Sequence, residues 1–164
     1  MGSLPTRDGP PPATTSDQPH QQIDQQPDDP ALRERLAARL LALDDVSERP
    51  SLISVPGARG LVLDEAHAAG APVDAFMAGR EFAHLHPSPD LSLHAMLPPD
   101  VAAEAIDKGW AEQHTAVPFG MAPPNAVLLY APRDPAELEV VATLVEASHA
   151  YAHQRAGGDD RAAQ

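Results

Sequence analysis

Most of what this chain can become is constrained by the punctuation between residues 73 and 96. Val73 to Ala78, Glu81-Phe82-Ala83-His84-Leu85-His86 and Leu91-Ser92-Leu93-His94-Ala95-Met96 are short alternating runs, separated by Gly79-Arg80 and by Pro87-Ser88-Pro89-Asp90. Turn residues this closely spaced join strands that run in opposite directions, so the pattern predicts an antiparallel meander.

The flanking sequence supplies helices. Asp28-Asp29-Pro30 precedes Leu32, Leu36, Leu40 and Leu43, an apolar stripe at helical spacing behind an acidic cap, and predicts a helix from Ala31 to Leu43. Leu52 to Val55 and Leu61 to Leu63 lie on either side of Pro56-Gly57 and read as a hairpin or corner. Pro98-Pro99-Asp100 opens a helix over Val101 to Lys108 that Gly109 closes. Trp110 to His114 predicts a strand, Val117 to Asn125 a Pro-rich loop, and Ala126 to Tyr130 a buried strand. Asp134-Pro135-Ala136-Glu137 caps a last helix with Leu138, Val141, Leu144, Val145 and Ser148 on one face. The order and the short connections predict an α+β fold, an antiparallel sheet with helices packed mainly on one face.

With 164 residues the chain has room for one domain. Residues 1–29 are rich in proline and glutamine with almost nothing apolar, and read as a disordered tail. Residues 30–153 then form the single domain, and residues 154–164, with Gly157-Gly158-Asp159-Asp160, a second disordered tail. The net charge is -13, from 11 basic against 24 acidic residues, with no basic stripe, which argues against nucleic acid and against an anionic membrane surface as partners. No apolar run approaches the ~18 residues of a spanning helix and no basic-then-apolar leader opens the chain, so the default address is the cytoplasm. The absence of cysteine removes disulfides, thiolate metal sites and cysteine nucleophiles, so any metal falls to His and carboxylate.

The polar residues of interest gather on the meander. Residues two apart on a strand share a face, so His84 and His86 point one way together with Phe82, while Ala83 and Leu85 point the other. With Pro87 to Leu91 as the loop, His86 falls opposite Ser92 and His84 opposite His94, which clusters three imidazoles. His114 is a fourth imidazole if its strand neighbours the meander. Imidazoles in this arrangement suit proton transfer near neutral pH; the same three, completed by Glu81 or water, suit a divalent metal. The plainer reading is a solvated polar strand face. Trp110 reads as a side chain closing a helix onto the sheet more readily than as a substrate platform, and Tyr130 as a core residue whose hydroxyl needs a partner. His149 and His153 suit a helix C-terminus without ligation, His67 says little alone, and His20 belongs to the tail. Asp134 reads as a helix cap with Arg133 solvated rather than as an anion site.

Taken in order, Gly79-Arg80-Glu81-Phe82-Ala83-His84-Leu85-His86-Pro87, Ser92-Leu93-His94, Gly109-Trp110-Ala111-Glu112-Gln113-His114 and Tyr130-Ala131-Pro132-Arg133-Asp134 with Glu137-Leu138 resemble the luciferase-domain family, over roughly Leu52 to Tyr151. That family includes the fungal luciferases and many small bacterial proteins. The resemblance implies cofactor-independent oxygenation of a small enolic, phenolic or pyrone-like substrate by molecular oxygen; the fungal members oxidise a hispidin derivative and emit light. Its recurring polar residues fall on Arg80, Glu81, His84, His86, His94, Trp110 and His114. The fungal members' apolar N-terminal anchoring segment has no counterpart in residues 1–29, where a polar tail is expected instead.

The resulting expectation is an enzyme in which one imidazole of His84, His86 and His94 takes a proton from an enol. Arg80, Glu81, Trp110, His114 and Tyr130 would then be the substrate-binding residues. Two other classes stay open: a non-catalytic module binding a small molecule or partner segment in a sheet groove, and an enzyme with a divalent metal on His84, His86 and His94.

Overall fold

The computed structural model describes residues 1–154. Its centre is a six-stranded antiparallel sheet of order β1-β2-β3-β4-β6-β5, formed by β1 (Val46–Pro50), β2 (Arg59–Leu63), β3 (Glu81–Leu85), β4 (Leu93–Met96), β5 (Ala111–Gln113) and β6 (Ala126–Leu129). Helices α1 (Pro30–Leu41), α2 (Glu65–Ala68), α3 (Pro99–Asp107) and α4 (Pro135–Ala152) complete it, with short 3-10 turns at Val73–Ala75 and Val117–Phe119. This is the α+β architecture that the turn spacing and helical stripes predict.

Capping follows the sequence closely. Asp29 accepts a hydrogen bond from the Ala31 N–H at 2.9 Å, and Asp134 one from the Glu137 N–H at 2.8 Å, so each acidic side chain takes a backbone donor that the first helical turn leaves without a partner. Leu32, Leu36 and Leu40 of α1 and Leu138, Val141, Leu144 and Val145 of α4 are buried in one core. Ala83, Leu85, Leu93, Ala95, Val127 and Leu129 belong to that core too, which makes theirs the helix-facing side of the sheet. Arg133 is half-buried rather than free in solvent: it pairs with Glu137 and donates to the Asp8 carbonyl at 2.9 Å.

Three local expectations fail. Val73 to Ala78 is no strand but a 3-10 turn followed by an irregular stretch, with a single bridge from Ala78 to Glu81. Leu52 to Val55 is a connecting loop, because the hairpin partner of β2 is the polar run Val46–Pro50, a charged edge strand paired from Val46 opposite Leu63 to Pro50 opposite Arg59. Phe82 does not share the face of His84. The β2–β3 register passes from Leu61 opposite Ala83 to Val62 opposite Glu81, leaving Phe82 as an extra residue. This bulge turns Phe82 into the helix-side core, where its ring lies 5.7 Å from that of His149, and swings Glu81 to the opposite face.

The largest correction concerns residues 1–29, which are packed rather than free. Leu4, Arg7, Pro12, His20 and Gln22 are buried. The Trp110 indole donates to the Pro5 carbonyl at 2.6 Å, and the Arg7 N–H to the Lys108 carbonyl at 2.9 Å. Thr14 bridges to Gln22, the Gln22 amide oxygen accepts from the Ala131 N–H, and that of Gln26 from the Leu91 N–H. Counting apolar burial alone predicts disorder here. What docks the segment is side-chain hydrogen bonding to backbone groups of the domain, while its prolines lower the entropy that ordering removes. The tail expected over residues 154–164 lies outside the described residues apart from Gln154, whose N–H donates to the His67 carbonyl. Among the described residues, no helix is long and apolar enough to cross a membrane.

Candidate functional site

The strand register gives the site its floor. Gly60, His84, His94, Leu128 and Glu112 form one row across β2, β3, β4, β6 and β5, each directly opposite the next and therefore on one face. His84 faces His94 as the turn length predicts, and the His86 N–H donates to the Ser92 carbonyl at 3.1 Å. The face is the one that α1, α3 and α4 leave free. The N-terminal segment crosses it and inserts His20.

Three imidazole nitrogens meet there. His84 Nε2 lies 3.0 Å and His86 Nε2 3.1 Å from His94 Nδ1. The rings of His84, His86 and His94 are all buried, and that of His114 lies 4.4 Å from His94 between centroids. Each outer nitrogen has its own partner. His84 Nδ1 is 2.9 Å from Glu81 Oε2; His86 Nδ1 is 3.0 Å from Ser92 Oγ and 2.9 Å from Asp90 Oδ2; His94 Nε2 is 3.2 Å from His20 Nδ1, whose Nε2 is 3.2 Å from Glu112.

The acceptors fix where protons sit. Glu81, Asp90 and Glu112 can only accept when ionised, and Ser92 gives its own hydroxyl proton to Asp90 Oδ1 at 2.7 Å. With one proton per ring, the protons therefore occupy His84 Nδ1, His86 Nδ1, His20 Nε2 and His94 Nε2, which donates to His20 Nδ1. The three inner nitrogens are then bare lone pairs.

Electrostatics agrees with this assignment. Burial would raise the Glu81 carboxyl, but hydrogen bonds from His84, the Leu52 N–H and Ser51 bring it below the ordinary value. Asp90 and Glu112 show the same balance, with His86 and Ser92 holding the first and His20, Thr14 and Tyr130 the second. Burial lowers His84, and it lowers His94 much further, with the neighbouring imidazoles adding to the effect. His114 is lowered to about 4 by burial, then by His20. Its Nδ1 accepts the Ala116 N–H at 3.0 Å, which puts the ring proton on Nε2.

Above the cluster lies a cavity of about 610 Å³, into which His20, His84, His86, His94 and His114 open. Val55, Met77, Met96 and Ala126 supply apolar wall, and Ile53, Phe119 and Met121 apolar rim, the last two 79% and 80% exposed, while Asp17, Gln18, Ser54 and Thr115 add polar groups.

Several residues expected at the site lie elsewhere. Arg80 is exposed and borders a separate depression with Arg49 and Asp64. Trp110 is buried against the N-terminal segment, and Tyr130 gives its hydroxyl to Glu112 Oε1 at 3.3 Å beneath Arg7. Neither lines the cavity. Glu81 is fully buried behind His84 and reaches the cavity only through it. The residues that sequence reasoning passes over are His20, Asp90, Ser92 and Glu112. Glu112 had a visible signal, its alternation with His114 along a strand; His20 had none, because its place depends on a contact with His94 across 74 positions.

Fold and site together define an α+β protein with a buried imidazole cluster at the floor of a largely apolar cavity. The chain is similar to the luciferase-domain family. Residues 79–148 match the family described as Luciferase domain, a stretch that holds His84, His86, His94, Asp90, Glu112 and His114. A luciferase of Armillaria mellea is 32% identical over 92% of this chain and 62% of its own length, and one of Armillaria ostoyae matches to the same extent. A luciferase of Neonothopanus nambi is 40% identical over 44% of this chain and 28% of its own. The chain thus spans under two thirds of the length of these relatives. No solved structure matches it.

Proposed function

We propose that this protein oxidises a small enol-bearing aromatic or pyrone-like molecule with molecular oxygen, without an organic cofactor. The observation that carries the reading is the set of bare imidazole nitrogens at the floor of a largely apolar cavity. A flat, weakly polar molecule suits such walls, and the rings below offer a proton acceptor where its hydroxyl would rest. Kinship with luciferases supports the use of oxygen.

In this reading one imidazole of His84, His86 and His94 takes the enol proton, and the neutral Nε2–H of His114 stabilises the resulting anion. The enolate passes one electron to dioxygen, and the two radicals join as a carbon–oxygen bond. The peroxide anion then recovers the proton from the imidazolium. Substrate carbon loses two electrons, oxygen gains two, and the product is a hydroperoxide poised for further breakdown.

An oxygen electrode and a photon counter, run with a panel of hydroxypyrones and polyphenols, test this. Uptake above the uncatalysed rate is expected for at least one compound, and a fall of at least ~100-fold in His84→Ala, the usual size of a lost proton-transfer group. A folded His84→Ala that consumes oxygen as fast as the parent would sink the reading.

A further inference from the structure

Three lone pairs aimed at one another are costly to leave that way, and the surroundings of these three rings show what relieves the cost. We infer that His84 Nε2, His86 Nε2 and His94 Nδ1 bind a single divalent transition-metal ion, with Glu81, Asp90–Ser92 and His20–Glu112 as the outer partners that orient the three ligands. Metal-bound histidines nearly always give their other N–H to a carboxylate or comparable acceptor, which fixes the tautomer and the ring plane. Here all three rings do so.

Spacing agrees. Nitrogens each about 2.1 Å from one ion are roughly 3.0–3.4 Å apart for angles between square and tetrahedral, and the two separations to His94 Nδ1 are 3.0 and 3.1 Å. An extra proton is the other way to satisfy converging lone pairs. Burial opposes it, since all three rings are shielded from water and a buried charge is costly. Neutral imidazoles with no carboxylate aimed inward favour iron, cobalt, nickel, copper or zinc over magnesium or calcium. The remaining positions of the ion would open on the cavity.

Two other groupings can be set aside on geometry. Asp45, His67 and His153 also gather, but His67 Nδ1 is spent on Asp64 at 2.7 Å and His153 Nε2 on Asp45 at 2.8 Å, at a solvent-facing corner. His20, His94 and His114 gather as well, yet the facing nitrogens of His20 and His94 bond to each other.

The ion would take up the same three nitrogens that the proposed oxidation uses as its base, so the two are alternative uses of one cluster, and they can fail separately. The test uses the full chain, purified without a histidine tag, stripped with chelator and titrated with cobalt(II) while visible absorption and thermal midpoint are recorded. One ion per chain is expected. His94→Ala should lose at least ~100-fold in affinity. Glu81→Gln, which touches no metal, should lose about 10- to 100-fold, the usual effect of an outer partner. His67→Ala/His153→Ala should bind as the parent does. Circular dichroism and the midpoint of the ion-free proteins show whether each variant folds, and Glu81→Gln carries the test should His94→Ala not fold. Substoichiometric binding in the parent, unchanged binding in both Glu81→Gln and folded His94→Ala, or binding lost in the His67/His153 variant overturns the inference. One ion bound without oxygen uptake on any enolic compound tells against the oxidation and leaves the site. Full oxygen uptake with no ion bound tells against the site and leaves the oxidation.

Discussion

At Gly60 the absence of a side chain decides whether Glu81 can reach His84. A Cβ there would stand 2.8 Å from Glu81 Oε1 and 3.0 Å from the Arg49 carbonyl oxygen, and neither can readily withdraw. Glu81 is held by Ser51, the Leu52 N–H and His84, and the Arg49 carbonyl belongs to a paired strand. Gly60→Ala should therefore cost about 1–3 kcal/mol, the range for overpacking a tight site. It should also shift the His84 Nδ1 proton resonance. Urea unfolding and a nitrogen-edited spectrum would show both, and an unperturbed His84 would mean that the contact is slack.

Tyr151 offers a second residue-scale test. Its hydroxyl donates to Asp74 Oδ1 at 2.6 Å, and that hydrogen bond to a carboxylate, with some burial, pushes the phenol up to about 12. An unfolded tyrosine titrates near ~10, so the fold favours the protonated phenol. The resulting stability is complete below the unfolded value and is lost as pH rises from there towards the folded one. Thermal midpoints should fall over that window, and in Tyr151→Phe this part of the fall should vanish. A parallel decline in both proteins would assign the alkaline loss to other groups.

At the scale of elements, the bulge in β3 does the most. A regular strand would put Phe82 beside the imidazoles and Glu81 in the apolar core, where an ionised carboxylate is very expensive. One extra residue exchanges them. α4 secures the result, because the Ser148 hydroxyl reaches the Phe82 carbonyl at 3.3 Å and the Met96 carbonyl at 2.6 Å, tying the helix to two strands at once. Ser148→Ala should cost about 1–3 kcal/mol, since it strips a donor from buried carbonyls. Leu144→Ala, in the same helix but apolar, should cost about 2–5 kcal/mol by leaving a cavity. Denaturant unfolding reads both. Equal and negligible losses would mean that α4 is less tightly seated than its burial implies.

For the whole molecule, the N-terminal segment belongs to the site. It supplies His20 to His94 and Glu112, and Thr14 reaches Glu112 as well, at 3.0 Å. Its amides are unequal in a way that hydrogen exchange can detect. The N–H groups of Arg7, Thr15 and Ile23 are bonded to backbone carbonyls, and should exchange much more slowly than that of the exposed Asp17, which has no such partner among the described residues. The Ala131 N–H, bonded to the Gln22 side chain, should be protected with them. Uniformly fast exchange over residues 1–29 would detach the segment from the domain.

The helix stripes at 32, 36 and 40 and at 138, 141 and 145, the acidic caps at Asp29 and Asp134, and the pairing of His84 with His94 could all be read from the sequence. Each depends on residues within about ten positions of one another, where the periods of helix and strand and the length of a turn govern geometry. The swap of Phe82 for Glu81, the burial of His20, and the distance of Arg80 and Trp110 from the cavity could not. A bulge is settled by competition between two whole strand faces for one core, and a proline-rich segment is ordered only by acceptors and donors that exist once the sheet has formed. Local periodicity thus determined which elements form and which histidines oppose each other. Tertiary packing alone decided which carboxylates stand behind those rings, and so which of their nitrogens are left bare.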